Sequence, residues 1–193
     1  MNFSTFANTL STMSAVNRHQ WVAQLMAINA CRQTEERAFT SSPQRNHLHN
    51  HRKICHAGLM TPSVVTYALD RLADLGIDHV FGVPGDYAFP INDAVEVHPR
   101  LTWVPSANEL NAAYAADGYA RRRGAGIVCT TYGVGELSAL NGLMGAMAER
   151  LPVFHLVGVP SLRIIRQGLI CHHTLGDRNY DRFEAISAAD RKS

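Results

Sequence analysis

The chain has 193 residues, 46% of them hydrophobic and 18% charged, with a net charge of +2. That is room for one well-filled α/β domain at about 100–200 residues per domain, and the apolar content excludes wholesale disorder. The near-neutral balance, with much of the basic excess before Met60, argues against a nucleic-acid surface, and no apolar run reaches the roughly 18 residues that a bilayer span needs. A soluble, cytoplasmic protein is expected, with Cys31, Cys55, Cys129 and Cys171 as reduced thiols. They are widely scattered and include no C-x-x-C pair, so they suggest neither a zinc site nor a disulfide framework.

Residues 1–59 are rich in Ser, Asn, Gln, Arg and His, and only the patch Trp21–Ala30 is apolar enough for one helix, without a partner pattern beside it. The Arg- and Ser-rich, acid-poor composition resembles that of a transit peptide, but its basic residues fall on no clear amphipathic face. A poorly ordered extension is expected. His47, His49, His51 and His56 form an alternating tract, a pattern that on an unstructured segment means adventitious metal binding. Asn2-Phe3-Ser4 matches a glycosylation acceptor, which has no meaning without a secretory signal.

From Met60 the pattern becomes regular. Thr61-Pro62 predicts a helix start, and Val65, Leu69, Leu72 and Leu75 recur at helical spacing until Gly76. Ile77–Val83 reads as a strand closed by Pro84-Gly85, about Pro90–Val97 as a helix and Leu101–Val104 as a strand. Ser106 or Asn108 can then cap a helix through Arg121. Ile127–Tyr132 is the next strand, roughly Glu136–Arg150 the fourth helix and Val153–Gly158 the last clear strand. This alternation predicts a parallel sheet covered by helices on both faces, behind the irregular extension. Its short strands are apolar without alternation, as doubly covered strands are. Ligands of such sheets sit beyond the carboxyl ends of the strands, which marks Gly85-Asp86, Ser106–Glu109, Tyr132–Glu136 and the loop after Gly158.

In the helix from Asn108, Ala112, Ala113, Ala116 and Ala120 make a flat face, and Asp117 stands one turn before Arg121. Glu109 in the first turn is explained by the helix dipole alone, or else by a ligand nitrogen at which it is aimed. Gly133-Val134-Gly135-Glu136 is not a dinucleotide fingerprint, because Ser138 occupies the third glycine position and no acidic residue ends a strand about 20 residues on. No Gly-Lys-Ser or Gly-Lys-Thr phosphate loop occurs. His172-His173 is either a surface accident or a pair acting separately, one orienting a carboxylate and one moving a proton. On a strand the two would point to opposite faces, an awkward arrangement for binding one metal, and no metal site is expected.

Five blocks in order, G-V-P-G-D-Y from Gly82, A-N-E-L-N-A-A-Y-A-A-D-G-Y-A-R from Ala107, T-T-Y-G-V-G-E-L-S-A-L-N-G from Thr130, V-G-V-P-S from Val157 and H-H-T-L-G-D from His172, are similar to one family. They resemble the amino-terminal pyrimidine-binding domain of the thiamine-diphosphate-dependent 2-oxoacid decarboxylases, the pyruvate, indolepyruvate and phenylpyruvate decarboxylases. The resemblance covers Met60 to about Asp190, so residues 60–193 are expected to form that domain. It implies that Glu109 binds N1′ of the aminopyrimidine, promoting the imino tautomer whose exocyclic nitrogen removes the thiazolium C2 proton. It further implies that Asp86, His172 and His173 handle the substrate carboxylate and the protonation that releases the aldehyde. The histidine pair distinguishes the decarboxylase branch from carboligating relatives.

Family members are usually more than twice this length. Their G-D-G motif with a following asparagine, which holds magnesium and diphosphate, is supplied by neither Gly85-Asp86-Tyr87 nor Gly176-Asp177-Arg178. The resemblance therefore implies that Mg2+ is held by a missing domain and that the site needs a diphosphate-binding domain or subunit, in a homo- or hetero-oligomer. The leading expectation is an amino-terminal part of a 2-oxoacid decarboxylase, inactive alone. The alternatives are a small subunit completed by a separate diphosphate-binding subunit, and a catalytically silent interaction module.

Overall fold

The structure, a computed structural model, describes residues 63–189 and the backbone of Gln24–Ala27. Helix α1 (Val64–Ala73) begins where the Ser63 hydroxyl accepts the Thr66 N–H at 3.1 Å. Thr61 and Pro62, the expected start, lie outside the described residues. Leu69 and Leu72 are fully buried, each worth about 1.5–3 kcal/mol of apolar transfer, whereas Leu75 falls beyond the helix and is 43% exposed.

The regular alternation follows as expected, with strand β2 (His79–Gly82), helix α2 (Phe89–Glu96), β3 (Thr102–Pro105), helix α3 (Glu109–Arg123), β4 (Gly126–Thr130), helix α4 (Val134–Ala148) and β5 (Val153–Gly158). A 3-10 turn, Asp86–Ala88, precedes α2. Two short helices that the sequence pattern did not announce, α5 (Leu162–Gln167) and α6 (Arg182–Ala189), complete the described part.

Strand β1 (Gln24–Ala27) corrects the helix expected across Trp21–Ala30, because it pairs in parallel with β5. A lone apolar patch this short is a marginal helix, and the edge of β5 offers unpaired backbone groups that a strand satisfies. The rest of the expected extension, with Asn2, Cys31, His47, His49, His51, Cys55 and His56, lies outside the described residues.

The sheet is wholly parallel, in the order β1-β5-β4-β2-β3. Successive residues of a strand point to opposite faces, and both faces are covered. Ile127, Cys129, Phe154 and Leu156 pack with α1 and α2 residues such as Leu69, Leu72, Ile91 and Val95. Val128 and Val153 pack on the opposite face with Ala112, Ala113, Ala116 and Ala120 of α3 and Ala139, Leu143 and Ala146 of α4. The flat alanine face of α3 is thus used inside the domain, where small side chains let α4 and the sheet approach closely. On that same face His155 is buried, 2.8 Å from Thr130 Oγ1, and burial pushes its imidazole down to about 3.

Candidate functional site

From β2 the chain moves outward to β3, then returns to the other side of β2 for β4 and β5. The order therefore reverses between β2 and β4, and at such a switch the connections leave in opposite directions, opening a crevice at the carboxyl ends. Every residue expected in the site stands at this edge. Asp86 follows β2, Glu109 follows β3, and His172 and His173 follow β5 and α5.

Glu109 is the first residue of α3. Asn108 caps the helix by accepting the Asn111 N–H at 2.9 Å, which fixes the direction in which Glu109 leaves the backbone. The carboxylate is half-buried, and no hydrogen bond or ion pair joins it to another described residue. It lies against Gly135, where a Cβ would sit 3.1 Å from Glu109 Oε1 and 3.0 Å from Thr131 Cγ2. The missing side chain at Gly135 makes the room that the carboxylate occupies.

The segment Thr131–Gly135, which runs into the first turn of α4, joins the parts of the site. Thr131 packs on Gly85, whose Cβ would fall 2.5 Å from Thr131 Cβ, and Gly135 borders Glu109. Gly133 turns with φ +66°, and a Cβ there would be 2.8 Å from the His173 carbonyl oxygen. Tyr132 is buried, donates to the Tyr180 carbonyl at 2.8 Å and meets Phe183 edge-on at 5.1 Å, anchoring the segment that carries the histidines. Burial pushes its phenol up to about 12, so it remains a donor.

The histidines stand in a turn rather than on a strand, and His173 has φ +60°. The divergence that a strand would impose therefore does not apply. Their rings lie 4.7 Å apart at 72°, and His172 Nε2 is 2.6 Å from Asp86 Oδ2. One ligating atom from each of Asp86, His172 and His173 falls within 4.8 Å of the others.

Sequence reasoning gave Tyr87 no role. Its ring stacks on His172 at 4.8 Å and 18°, and its hydroxyl donates to the His172 carbonyl at 3.1 Å while lying 3.3 Å from His172 Nδ1. Burial, with a hydrogen bond to Cys171 and the nearby Asp86 charge, pushes the phenol well above its usual range. The adjacency Asp86-Tyr87 on a 3-10 turn was the available signal. Glu136 was likewise assigned no role. It is fully buried and accepts from Ser187 Oγ at 2.8 Å, tying α6 to α4.

A parallel α/β domain with a carboxylate set at its switch point and a carboxylate–imidazole cluster beside it is a cofactor-binding domain in architecture. The family described as thiamine pyrophosphate enzyme, N-terminal TPP binding domain, matches residues 62–181, and the chain belongs to that family. Among its relatives, the alpha-keto-acid decarboxylases of Mycobacterium avium (strain 104) and Mycobacterium ulcerans (strain Agy99) are 52% and 53% identical over 125 residues. The alpha-keto-acid decarboxylase of Mycobacterium leprae (strain TN) is 50% identical over 126 residues. Each match covers 65% of this chain and 22% of the relative. No helix among the described residues is long and apolar enough to cross a membrane.

Proposed function

We propose that this chain is the pyrimidine-binding part of a thiamine-diphosphate-dependent decarboxylase that converts a 2-oxoacid of the pyruvate, indolepyruvate or phenylpyruvate type to an aldehyde and carbon dioxide. The observation that carries this reading is the Glu109 carboxylate, half-buried beside Gly135 and unpaired among the described residues. A half-buried carboxylate without a donor favours an incoming N–H, and the aminopyrimidine supplies one. Bound there, the cofactor supplies an electron sink for the carbon–carbon bond that breaks.

This chain's residues then divide the work. Glu109 orients the pyrimidine and holds a proton at N1′. Asp86 and His172 hold a proton between Oδ2 and Nε2, and with His173 they meet the substrate carboxylate and return a proton to the carbon from which carbon dioxide has left. Tyr87 positions His172 from behind. Asp86, His172 and His173 are a poor set for Mg2+, which takes oxygen ligands and dehydrates reluctantly. In this reading Mg2+ and the diphosphate are held by a diphosphate-binding domain or subunit, with this chain in a homo- or hetero-oligomer and the reaction in the cytoplasm. The names of the relatives support the decarboxylase branch.

The test is aldehyde formation from 2-oxoacids by the purified chain, with thiamine diphosphate and Mg2+, before and after adding the diphosphate-binding part of an alpha-keto-acid decarboxylase. Turnover is expected only after the addition and is lost in Glu109→Gln. Robust turnover by the chain alone, or full activity of the Gln variant, would overturn the reading.

A further inference from the structure

Asp86 Oδ2 and His172 Nε2 face each other at 2.6 Å. The Tyr87 hydroxyl gives its proton to the His172 carbonyl at 3.1 Å, so toward His172 Nδ1 at 3.3 Å it can only accept. That contact selects the tautomer protonated on Nδ1 and places the lone pair of the neutral ring on Nε2, facing the carboxylate.

We propose that Asp86, His172 and His173 form the binding site of a borderline divalent transition-metal ion, zinc being the type. Two imidazoles and one carboxylate suit Zn2+, Ni2+ or Cu2+ and disfavour Mg2+ and Ca2+. The left-handed turn at His173 brings the second imidazole in at 72° to the first, so the nitrogens approach from different directions, as a tetrahedral centre requires. No hydrogen bond among the described residues engages a ring nitrogen of His173, and its Nδ1 is buried.

Zinc bonds of about 2.1 Å place tetrahedral ligand atoms about 3.4 Å apart. The three ligand atoms already lie within 4.8 Å of one another. The Asp86 and His172 side chains are 44% and 56% exposed, which leaves them free to make the adjustment. Tyr87 completes the arrangement by accepting from the ring nitrogen remote from the metal, the usual outer contact that orients a ligating histidine. A metal held here takes the cluster's lone pairs out of proton transfer, so it acts as an inhibitor of any reaction that uses them. The site rests on this geometry and stands or falls independently of the cofactor reading.

The probe is zinc chloride titrated calorimetrically into the full chain, with cobalt(II) absorption reporting coordination geometry. His47, His49, His51 and His56 are first replaced by asparagine, because a histidine tract binds metals on its own. One zinc per chain is expected in this background. Asp86→Asn and His172→Ala should each weaken binding at least tenfold, and Tyr87→Phe by threefold to tenfold, with unchanged circular dichroism. Absence of binding in the tract-substituted parent would overturn the proposal, as would binding unchanged by the Asp86 and His172 substitutions in folded protein.

Discussion

Glu109 and the Asp86–His172–His173 cluster share one sheet edge but are built differently. Glu109 is half-buried at the capped start of a 15-residue helix and has no described partner. Asp86 sits on a 3-10 turn and the histidines on a loop, and there Asp86 and His172 are more exposed and already joined to each other. A carboxylate fixed on a rigid element and left unpaired is prepared for one external donor in one direction. A group of acid and imidazoles on loops, already in contact with one another, can adjust its geometry more easily. In the proposed reading, the difference separates a receptor for a fixed group from a set of residues that exchange protons or bind metal.

One large expected effect tests whether the two sides are mechanically separate. In Gly158→Ala a Cβ would run into the backbone of Tyr87 and Ala88, beside Asp86 but remote in sequence from α3. A loss of about 3 kcal/mol in denaturant unfolding is expected, since neither backbone can yield easily. A cost below about 1 kcal/mol would show that the turn bearing Asp86 is far softer than its packing implies.

The second effect concerns the sheet face beneath α3 and α4. His155 is neutral and buried, with its value lowered to about 3 from 6.5. Between these values the unfolded chain binds the extra proton, so the His155 contribution is complete above pH 6.5 and is lost as pH falls toward 3. The expected slope is about 1.4 kcal/mol per pH unit, measured as the difference between wild type and His155→Gln in urea unfolding. Parallel pH curves for the two proteins would contradict it.

A smaller change stiffens the Glu109 side alone. Gly118 is exposed in the middle of α3, and nothing lies within 4 Å of the position its Cβ would take. Gly118→Ala should raise stability by about 0.5–1 kcal/mol in the same assay, without altering the Asp86 cluster. Smaller still is Glu109→Gln, expected to cost about 0.5 kcal/mol through the helix dipole, because no described side chain depends on the carboxylate. A loss above about 2 kcal/mol would reveal a partner that holds Glu109 in place and would erase the contrast with Asp86.

The fold was legible where chemistry is local. Apolar runs between Gly and Pro punctuation located β2 to β5, and the choice of Ser106 or Asn108 as cap placed α3, which starts after Asn108 and runs two residues past the expected Arg121. β1 was not legible, because its four residues become a strand only through the edge of β5, which local periodicity cannot register. Helices α5 and α6 escaped because they are short, and α6 is held by a tertiary tie from Glu136 to Ser187. Glu109, Asp86, His172 and His173 could be placed at one edge from the strand rule and the resemblance. Their mutual geometry could not, since one left-handed residue, His173, turns two adjacent side chains from diverging to converging. The flat face of α3 was visible as alanines, but whether it would meet α4 or another subunit depends on packing partners beyond the helix itself.

The most direct measurement is hydrogen–deuterium exchange at the thiazolium C2 position of thiamine diphosphate, followed by NMR with this chain joined by the diphosphate-binding part of an alpha-keto-acid decarboxylase. If Glu109 activates the pyrimidine, Glu109→Gln should slow exchange by about 100-fold or more, while His172→Ala leaves it within a few-fold and lowers aldehyde release instead. Exchange as fast in the Gln variant as in the wild type would contradict the account at its centre.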